Sequence, residues 1–365
     1  MPSFTSSSEA FMHAHPWKRI FAFTIVFCFL LILGMEGSLR YLGYQPTALD
    51  SKERWGHERS RASKLGRQAL ILIDTSRFQL GLDLDVLRKQ TGLEPLQLAI
   101  DGSSFVPILK GLADDARITG TVLIDYTDGA VLGARNSDFG NASMFEDEYE
   151  KSLLRPSSFS ADTLETYLTR ELHENLSIFS DGANPLHSLR YRIVPWKRSA
   201  QYINTLPDRS RLADYSRLAW PDVYFSRVAK QLGVQWDSHA SHAVTEARFK
   251  DHINKLQVAS QADFLRGAQV IQSYIARIEN RGGKVMFVEM PTNGLVKDAN
   301  QQIFPRRQFF DVFFEKTKLP VLSSQGTELQ SFICPDGSHI DMKDRARLSA
   351  IIARFVQAGL AAKSP

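Results

Sequence analysis

Apolar residues are grouped in patterns that separate strands from helices. Leu70-Ile71-Leu72-Ile73 is a continuous apolar run that stops abruptly in Asp74-Thr75-Ser76-Arg77. Such a run predicts a buried strand over Ala69 to Ile73 that delivers Ser76 to its C-terminal tip. Leu84 to Gln90 reads as a short helix closed by Thr91-Gly92. Leu96 to Ile100 is a second strand, ending at Asp101-Gly102-Ser103-Ser104, and Phe105 to Ala116 is helical with Val106, Leu109, Leu112 and Ala113 on one face. Thr121 to Asp125 is a third strand. Strand, helix, strand, helix, strand is the order of a parallel sheet with right-handed crossovers. In such sheets functional groups collect beyond the C-terminal strand ends, where Ser76, Gly102 and Asp125 all fall.

The alternation stops at Tyr126 and does not resume until about Ser260. This stretch has weak helical periodicity and no strong strand. It reads as a mostly helical insertion forming one wall or lid of a cleft. Trp196, Trp220 and Trp236 need something to pack on, which argues against a disordered linker. Beyond it, Phe264 to Glu279 is a helix with Leu265, Ala268, Ile271, Ile275 and Ile278 on its apolar face, ended by Arg281-Gly282-Gly283. Lys284 to Met290 is a strand closed by Pro291-Thr292-Asn293-Gly294. A helix from about Gln308 to Lys318, a short strand over Pro320 to Leu322 and a last helix over Asp341 to Leu360 complete the chain. Asp341 suits the cap of that last helix; Ala346, Leu348, Ile351, Ile352, Phe355 and Val356 supply its apolar face.

A different pattern precedes all of this. Ile20 to Met35 carries no charge and is rich in Phe, Leu and Ile, with Trp17 extending it and Lys18 and Arg19 flanking it. At about 1.5 Å per residue it nearly crosses a hydrocarbon core of about 30 Å. The exit Leu33-Gly34-Met35-Glu36-Gly37-Ser38 lacks a small-x-small cleavage site, so an uncleaved anchor is preferred over a signal peptide. The organisation expected is an N-terminal tail over 1–16, an anchor over 17–37, a solvated stalk over 38–68 and a domain over 69–365 with its insertion at about 126–260. Lys18 and Arg19 favour a cytoplasmic N-terminus. However, Arg40, Lys52, Arg54, Arg59, Arg61, Lys64 and Arg67 lie on the other side with acids among them, so the charge rule leaves topology open.

Composition narrows the function. With 43% hydrophobic and 23% charged residues in 365, a packed core is readily supplied. A net charge of only +4 argues against a dedicated nucleic-acid binder. The two cysteines, Cys28 and Cys334, do not suggest a disulfide framework or a zinc site. Asp237-Ser238-His239-Ala240-Ser241-His242 places two histidines close together but lacks a convincing third ligand, and reads as a solvated polar turn. Arg77 reads as a salt-bridge residue.

The chemistry rests on Ser76 and on Cys334-Pro335-Asp336-Gly337-Ser338-His339, near the other end of the chain. A serine, a histidine and an aspartate are the parts needed for nucleophilic acyl transfer. A strand ending in Ser76-Arg77, the following Phe78-Gln79-Leu80-Gly81-Leu82-Asp83, a second strand ending in Gly102, and a late Asp336-x-x-His339 before the last helix together resemble the SGNH (GDSL-type) hydrolase family, in its membrane-anchored cell-envelope branch. The resemblance covers Ala69 to Asp125 and Lys284 to Leu360. It implies a three-layer α/β/α domain, with Ser76 as nucleophile, His339 as general base and acid, Asp336 as the residue orienting the imidazole, and the Ser76 and Gly102 backbone N–H groups as oxyanion donors. It implies an ester-bearing substrate such as an O-acylated envelope carbohydrate, no metal or organic cofactor, and a domain outside the membrane. The sequence departs from the family's pattern at two places. Asp74 stands where the family has glycine, and Asp125-Tyr126-Thr127-Asp128-Gly129 replaces its Gly-x-Asn-Asp block, leaving Asn136, Asn141 and Asn293 without a motif. Hydrolysis, acyl transfer to a sugar hydroxyl, and a non-catalytic assembly role on the same fold are the readings carried forward.

Overall fold

The computed structural model describes residues 16–135, 141–154, 161–180, 183, 201–218 and 220–362. Most of the N-terminal tail, Asn136 and Trp196 lie outside the described residues. The chain divides into two compact units, 1–47 with 166–201 and 48–165 with 202–365.

In the first unit, α1 (Trp17–Tyr41) is long and apolar enough to cross a membrane, with a mean hydropathy of 2.3 over its best window and only 6% of that window buried. Phe21, Phe23 and Phe27 are all well exposed along it. That suits a lipid-facing helix, since a core helix would bury them. Its C-terminal end is tied by side-chain bonds: Glu36 accepts from the Ser177 and Ile178 N–H groups (2.9 and 3.1 Å) and from Arg40 Nε (2.6 Å).

The second unit holds the sheet. Its elements are α2 (Lys52–Leu65), β1 (Ala69–Ile73), α3 (Arg77–Gly81), α4 (Leu84–Thr91), β2 (Glu94–Gln97), α5 (Val106–Asp114), β3 (Thr121–Asp125), α6 (Asp128–Leu132) and α7 (Asn141–Leu154). The helix α8 (Ala161–Asn175) straddles the division between the units. There follow β4 (Ile203–Thr205), β5 (Arg211–Ala213), α9 (Asp222–Leu232), α10 (His242–Asn254), α11 (Gln261–Glu279), β6 (Lys284–Val288), α12 (Gly294–Ile303), α13 (Phe310–Thr317), β7 (Val321–Leu322) and α14 (Arg345–Ala361).

Five strands form one parallel sheet in the order β2-β1-β3-β6-β7. All five residues of β1 are buried, and they alternate between two cores. Ile71 and Ile73 face a core shared with Leu109 of α5, Ile275 of α11 and Phe313 of α13. Leu70 and Leu72 face one shared with Leu87 of α4 and Ile352 of α14. Helices therefore cover both faces, which is why the interior residues of the central strands are apolar. The order reverses at β1, so the crevice between the ends of β1 and β3 is where such a sheet places its site.

Several expectations are adjusted. Lys52–Leu65, expected as a solvated stalk, is a helix. Trp55 is fully buried, donates Nε1–H to Leu98 O (2.9 Å) and meets Phe145 and Tyr149 edge-on. Arg59 on the same face is 2% exposed and bonded to Gly111 O and Ser63 Oγ, so a buried charge hides the amphipathic stripe. The strand expected over Leu96 to Ile100 begins at Glu94 and leaves the ladder at Gln97, although the Leu98 and Ile100 N–H groups still bond to Leu72 O and Asp74 O. Gly294, read as the last residue of a strand-closing turn, begins a helix that runs to Ile303 and buries Leu295, Val296 and Ala299. The insertion contains a two-stranded antiparallel hairpin, β4 with β5, besides its helices. Ala346 of the last helix is exposed; Leu348, Ile351, Ile352 and Val356 carry its buried face.

Candidate active site

The turn that carries Ser76 is built by Asp74. After β1 the chain turns directly into α3, whose first N–H groups need acceptors. Asp74, with no exposure at all, supplies one: its Oδ2 accepts from the Phe78 N–H at 2.7 Å. Ser76 occupies the N-cap position but makes no capping bond with its own side chain. Its hydroxyl is left to His339, with Oγ to Nε2 at 2.7 Å. Asp74 is therefore fully buried, with Oδ2 spent on the start of α3.

The histidine is held by its own loop. Asp336 Oδ1 accepts from the backbone N–H of His339 (2.8 Å) and of Ser338 (3.1 Å), while Oδ2 lies 2.8 Å from His339 Nδ1. That bond places a proton on Nδ1 and leaves Nε2 as the acceptor facing Ser76. Gly337 has φ +90°, and a Cβ there would sit 2.4 Å from Val296 Cγ2, so the loop can pack on α12 only with glycine at this point. Asn293 fixes the same loop: its N–H donates to Gly337 O (2.9 Å) and its Oδ1 accepts from the Cys334 N–H (2.5 Å).

The fold thus brings together all three residues read from the sequence as a triad. Ser76, Asp336 and His339 are each at least nine-tenths buried. Burial pushes the Asp336 carboxyl up, but the hydrogen bond and charge of His339 and the charge of Arg227 outweigh it and pull it down to about 2. Asp336 is therefore ionised wherever the serine would work. Burial pushes the nearby Cys334 thiol up to about 12, which removes it as a rival nucleophile.

Two further side chains complete the arrangement, and both come from the insertion. The Tyr215 hydroxyl donates to Asp336 Oδ2 at 2.9 Å. Arg227, on α9, places Nη1 3.0 Å from Asp336 Oδ2, and Nη2 3.3 Å from Ser338 Oγ and 3.5 Å from His339 Nε2. Neither residue sits in a recognisable motif; the one signal was the insertion's density of Tyr and Arg.

The other candidates fall differently. Gly102 has φ +68° and is exposed in the loop after β2, but does not line the cavity that Ser76 opens on. The neighbouring Asp101 pairs with Arg211 (2.8 Å), and the charges of His339 and Arg227 reach its carboxylate. Asn141 starts α7 and is exposed; Asn293 lines the cavity with its Oδ1 already engaged. His242 pairs at the surface with Asp222 (3.1 Å).

Beside Ser76 lies a charged cluster that is buried except at Arg77, which also lines the cavity. Arg77 Nε is 2.6 Å from Asp125 Oδ2, and Asp125 Oδ1 accepts from the Met290 N–H at 3.3 Å. Burial raises Asp125 well above the usual carboxylate range; Arg77 opposes this and the adjoining Asp74 carboxyl reinforces it.

Ser76 and His339 open on a cavity of about 380 Å³. Its far wall carries Asp128 and Glu289. Burial raises Asp128 to about 6, opposed by the bond from the Tyr126 hydroxyl and reinforced by Glu289. Glu289 is held by Arg306 Nη1 at 2.8 Å. Asn300, Gln301, Phe304 and Phe310 add amides and rings to the lining. A comparison with protein-family models and with curated proteins finds no match for this chain.

Proposed function

We propose that this protein is a membrane-anchored serine esterase of the SGNH type that cleaves an acyl ester through a Ser76 acyl-enzyme. The observation that carries the reading is the relay from Ser76 Oγ to His339 Nε2 (2.7 Å) and from His339 Nδ1 to Asp336 Oδ2 (2.8 Å), opening on a cavity large enough for a small ligand. Ser76 Oγ attacks the acyl carbon as its proton passes to Nε2, and the carbonyl π pair moves onto oxygen. Collapse breaks the carbon–oxygen ester bond, with the Nε2 proton passing to the departing alkoxide. Water then repeats the sequence on the acyl-enzyme, or a sugar hydroxyl does so in a transferase. The Ser76 N–H is the backbone donor this reading assigns to the oxyanion; Gly102, the second donor expected from the sequence, lies outside the cavity lining.

The amides of Asn300 and Gln301 and the rings of Phe304 and Phe310 suit the hydroxyls and apolar face of a sugar, in keeping with an O-acylated envelope carbohydrate. In this reading α1 is the anchor, the N-terminus is cytoplasmic, and the domain works on the periplasmic or extracellular side. The reaction as written needs no cofactor.

The test is covalent labelling by a fluorophosphonate probe on the full chain in detergent. Wild type should label. Ser76→Ala should not, and His339→Ala should label about 10⁴-fold more slowly with a thermal midpoint near that of wild type. A folded wild type that does not label favours the non-catalytic reading.

A further inference from the structure

Arg227 is a cation beside the reacting atoms that the relay does not use. Its Nη1 is anchored on Asp336 Oδ2 at 3.0 Å, and its Nη2 stands 3.5 Å from His339 Nε2, the nitrogen that is itself 2.7 Å from Ser76 Oγ. The side chain is 39% exposed and lines the cavity, so a bound ester can reach it. We propose that Arg227 is a further catalytic residue, whose guanidinium donates to the oxyanion formed when Ser76 attacks; the proposal rests on the reading of Ser76 as the nucleophile.

The charges count in its favour. In the resting site Arg227 and Asp336 cancel. Once the Ser76 proton has moved to Nε2, the imidazolium and the guanidinium lie within 3.5 Å of each other with only Asp336 between them in charge. Such a pair is costly in a partly desolvated site unless a second anion forms there. The tetrahedral oxyanion is that anion, so the arrangement is neutral before the attack and neutral after it. A group that pairs with charge present only in the transition state lowers the barrier selectively.

Of the other side chains in the lining, Tyr126 gives its hydroxyl to Asp128, and Asn293 uses its Oδ1 to accept from the Cys334 N–H. Arg227 has five N–H groups in a planar fork, and its bonds to Asp336 and Ser338 take only part of them.

Fluorophosphonate labelling rates test this, because the phosphoryl oxygen takes the oxyanion's place while Ser76 Oγ bonds to phosphorus, fluoride departs with the P–F pair and the serine proton passes to His339. Against full-length wild type, Arg227→Gln should label about 100-fold more slowly and Arg227→Lys should retain part of the rate. Added guanidinium, below denaturing concentration, should restore much of the rate of Arg227→Ala. Labelling of Arg227→Gln at the wild-type rate overturns the proposal and leaves the esterase reading intact. Slow labelling of Arg227→Ala that guanidinium does not restore makes Arg227 a pin between α9 and the histidine loop, and overturns it equally. A wild type that does not label removes both.

Discussion

Asp336 and Asp125 are both buried carboxylates at the C-terminal side of one sheet, and their surroundings push them in opposite directions. Asp336 is drawn down to about 2, against its own burial, by His339 and Arg227 and by a backbone N–H of its loop. Asp125 is driven up by burial; Arg77 pulls it back, but Asp74 stands beside it and adds to the rise. Asp336 has the Arg227 guanidinium and the His339 ring N–H as partners and no carboxylate among its causes of shift. Asp125 has one cationic partner, which two carboxyls share. Both are nearly without exposure, but Asp125 is the more deeply desolvated, so burial and the balance of partners together decide which carboxylate stays charged. The charged one orients the imidazole. The cluster that favours a proton holds the Ser76 turn, where Asp74 accepts from the Phe78 N–H and Arg77 pairs with Asp125.

The largest effect should come from breaking that cluster. Arg77→Met leaves Asp74 and Asp125 buried without a cation and should cost about 3–5 kcal/mol of stability. Asp125→Asn keeps an acceptor for the Met290 N–H and leaves one carboxylate with one guanidinium. It should cost much less, and in combination with Arg77→Met it should recover part of the loss. Thermal or chemical denaturation of the two single variants and the double variant gives the coupling directly. Strictly additive losses would mean that the two side chains do not act as a unit.

A smaller effect should appear in acid. The folded pKa of Asp336, about 2, lies below the unfolded value of about 3.9. Its contribution is therefore fully present above about pH 4 and is lost as pH falls toward 2, a difference of roughly 2.5 kcal/mol. Asp125 has the reverse sign. Its raised folded pKa makes the native state bind the extra proton, so its contribution grows as pH falls from that value toward about 4. Asp336→Asn should flatten the fall in stability between pH 4 and 2. Asp125→Asn should instead remove a rise at milder acidity. Identical acid profiles for the two variants would erase the distinction.

Sequence patterns made the central strands legible because they are buried on both faces. Ala69–Ile73 and Thr121–Asp125 are apolar throughout but for their end residues, and no other element produces such short, unbroken runs. The helix over Lys52–Leu65 was hidden because one member of its buried face is Arg59, whose partners come from α5 and from the helix itself. The triad was legible because its serine and its Asp-x-x-His each lie at a predicted strand end or helix start. The role of Asp74 is not legible in the sequence, because its partner is a backbone N–H four residues on. Tyr215 and Arg227 reach the site from an insertion without periodicity, and only the folded chain places them against Asp336.

Tyr215 gives the finest test of why Asp336 is the charged member of the comparison. Its hydroxyl is one of several groups on that carboxylate, beside His339, Arg227 and two backbone N–H groups. Tyr215→Phe removes one donor and keeps the ring, which packs near Tyr202 and Trp220. A single hydrogen bond to a carboxylate that retains its other partners is worth about 1 kcal/mol. Turnover should fall by about threefold to tenfold as the Asp336–His339 bond loses a support, with KM near the wild-type value because the hydroxyl is bound to Asp336 and not to the cavity. The acid limb associated with Asp336 should move up slightly, since one group favouring the ionised form is gone. A loss as large as that of His339→Ala would mean that the Tyr215 hydroxyl carries the charge state of Asp336 by itself. The weight would then move from the histidine and arginine partners to the insertion's tyrosine.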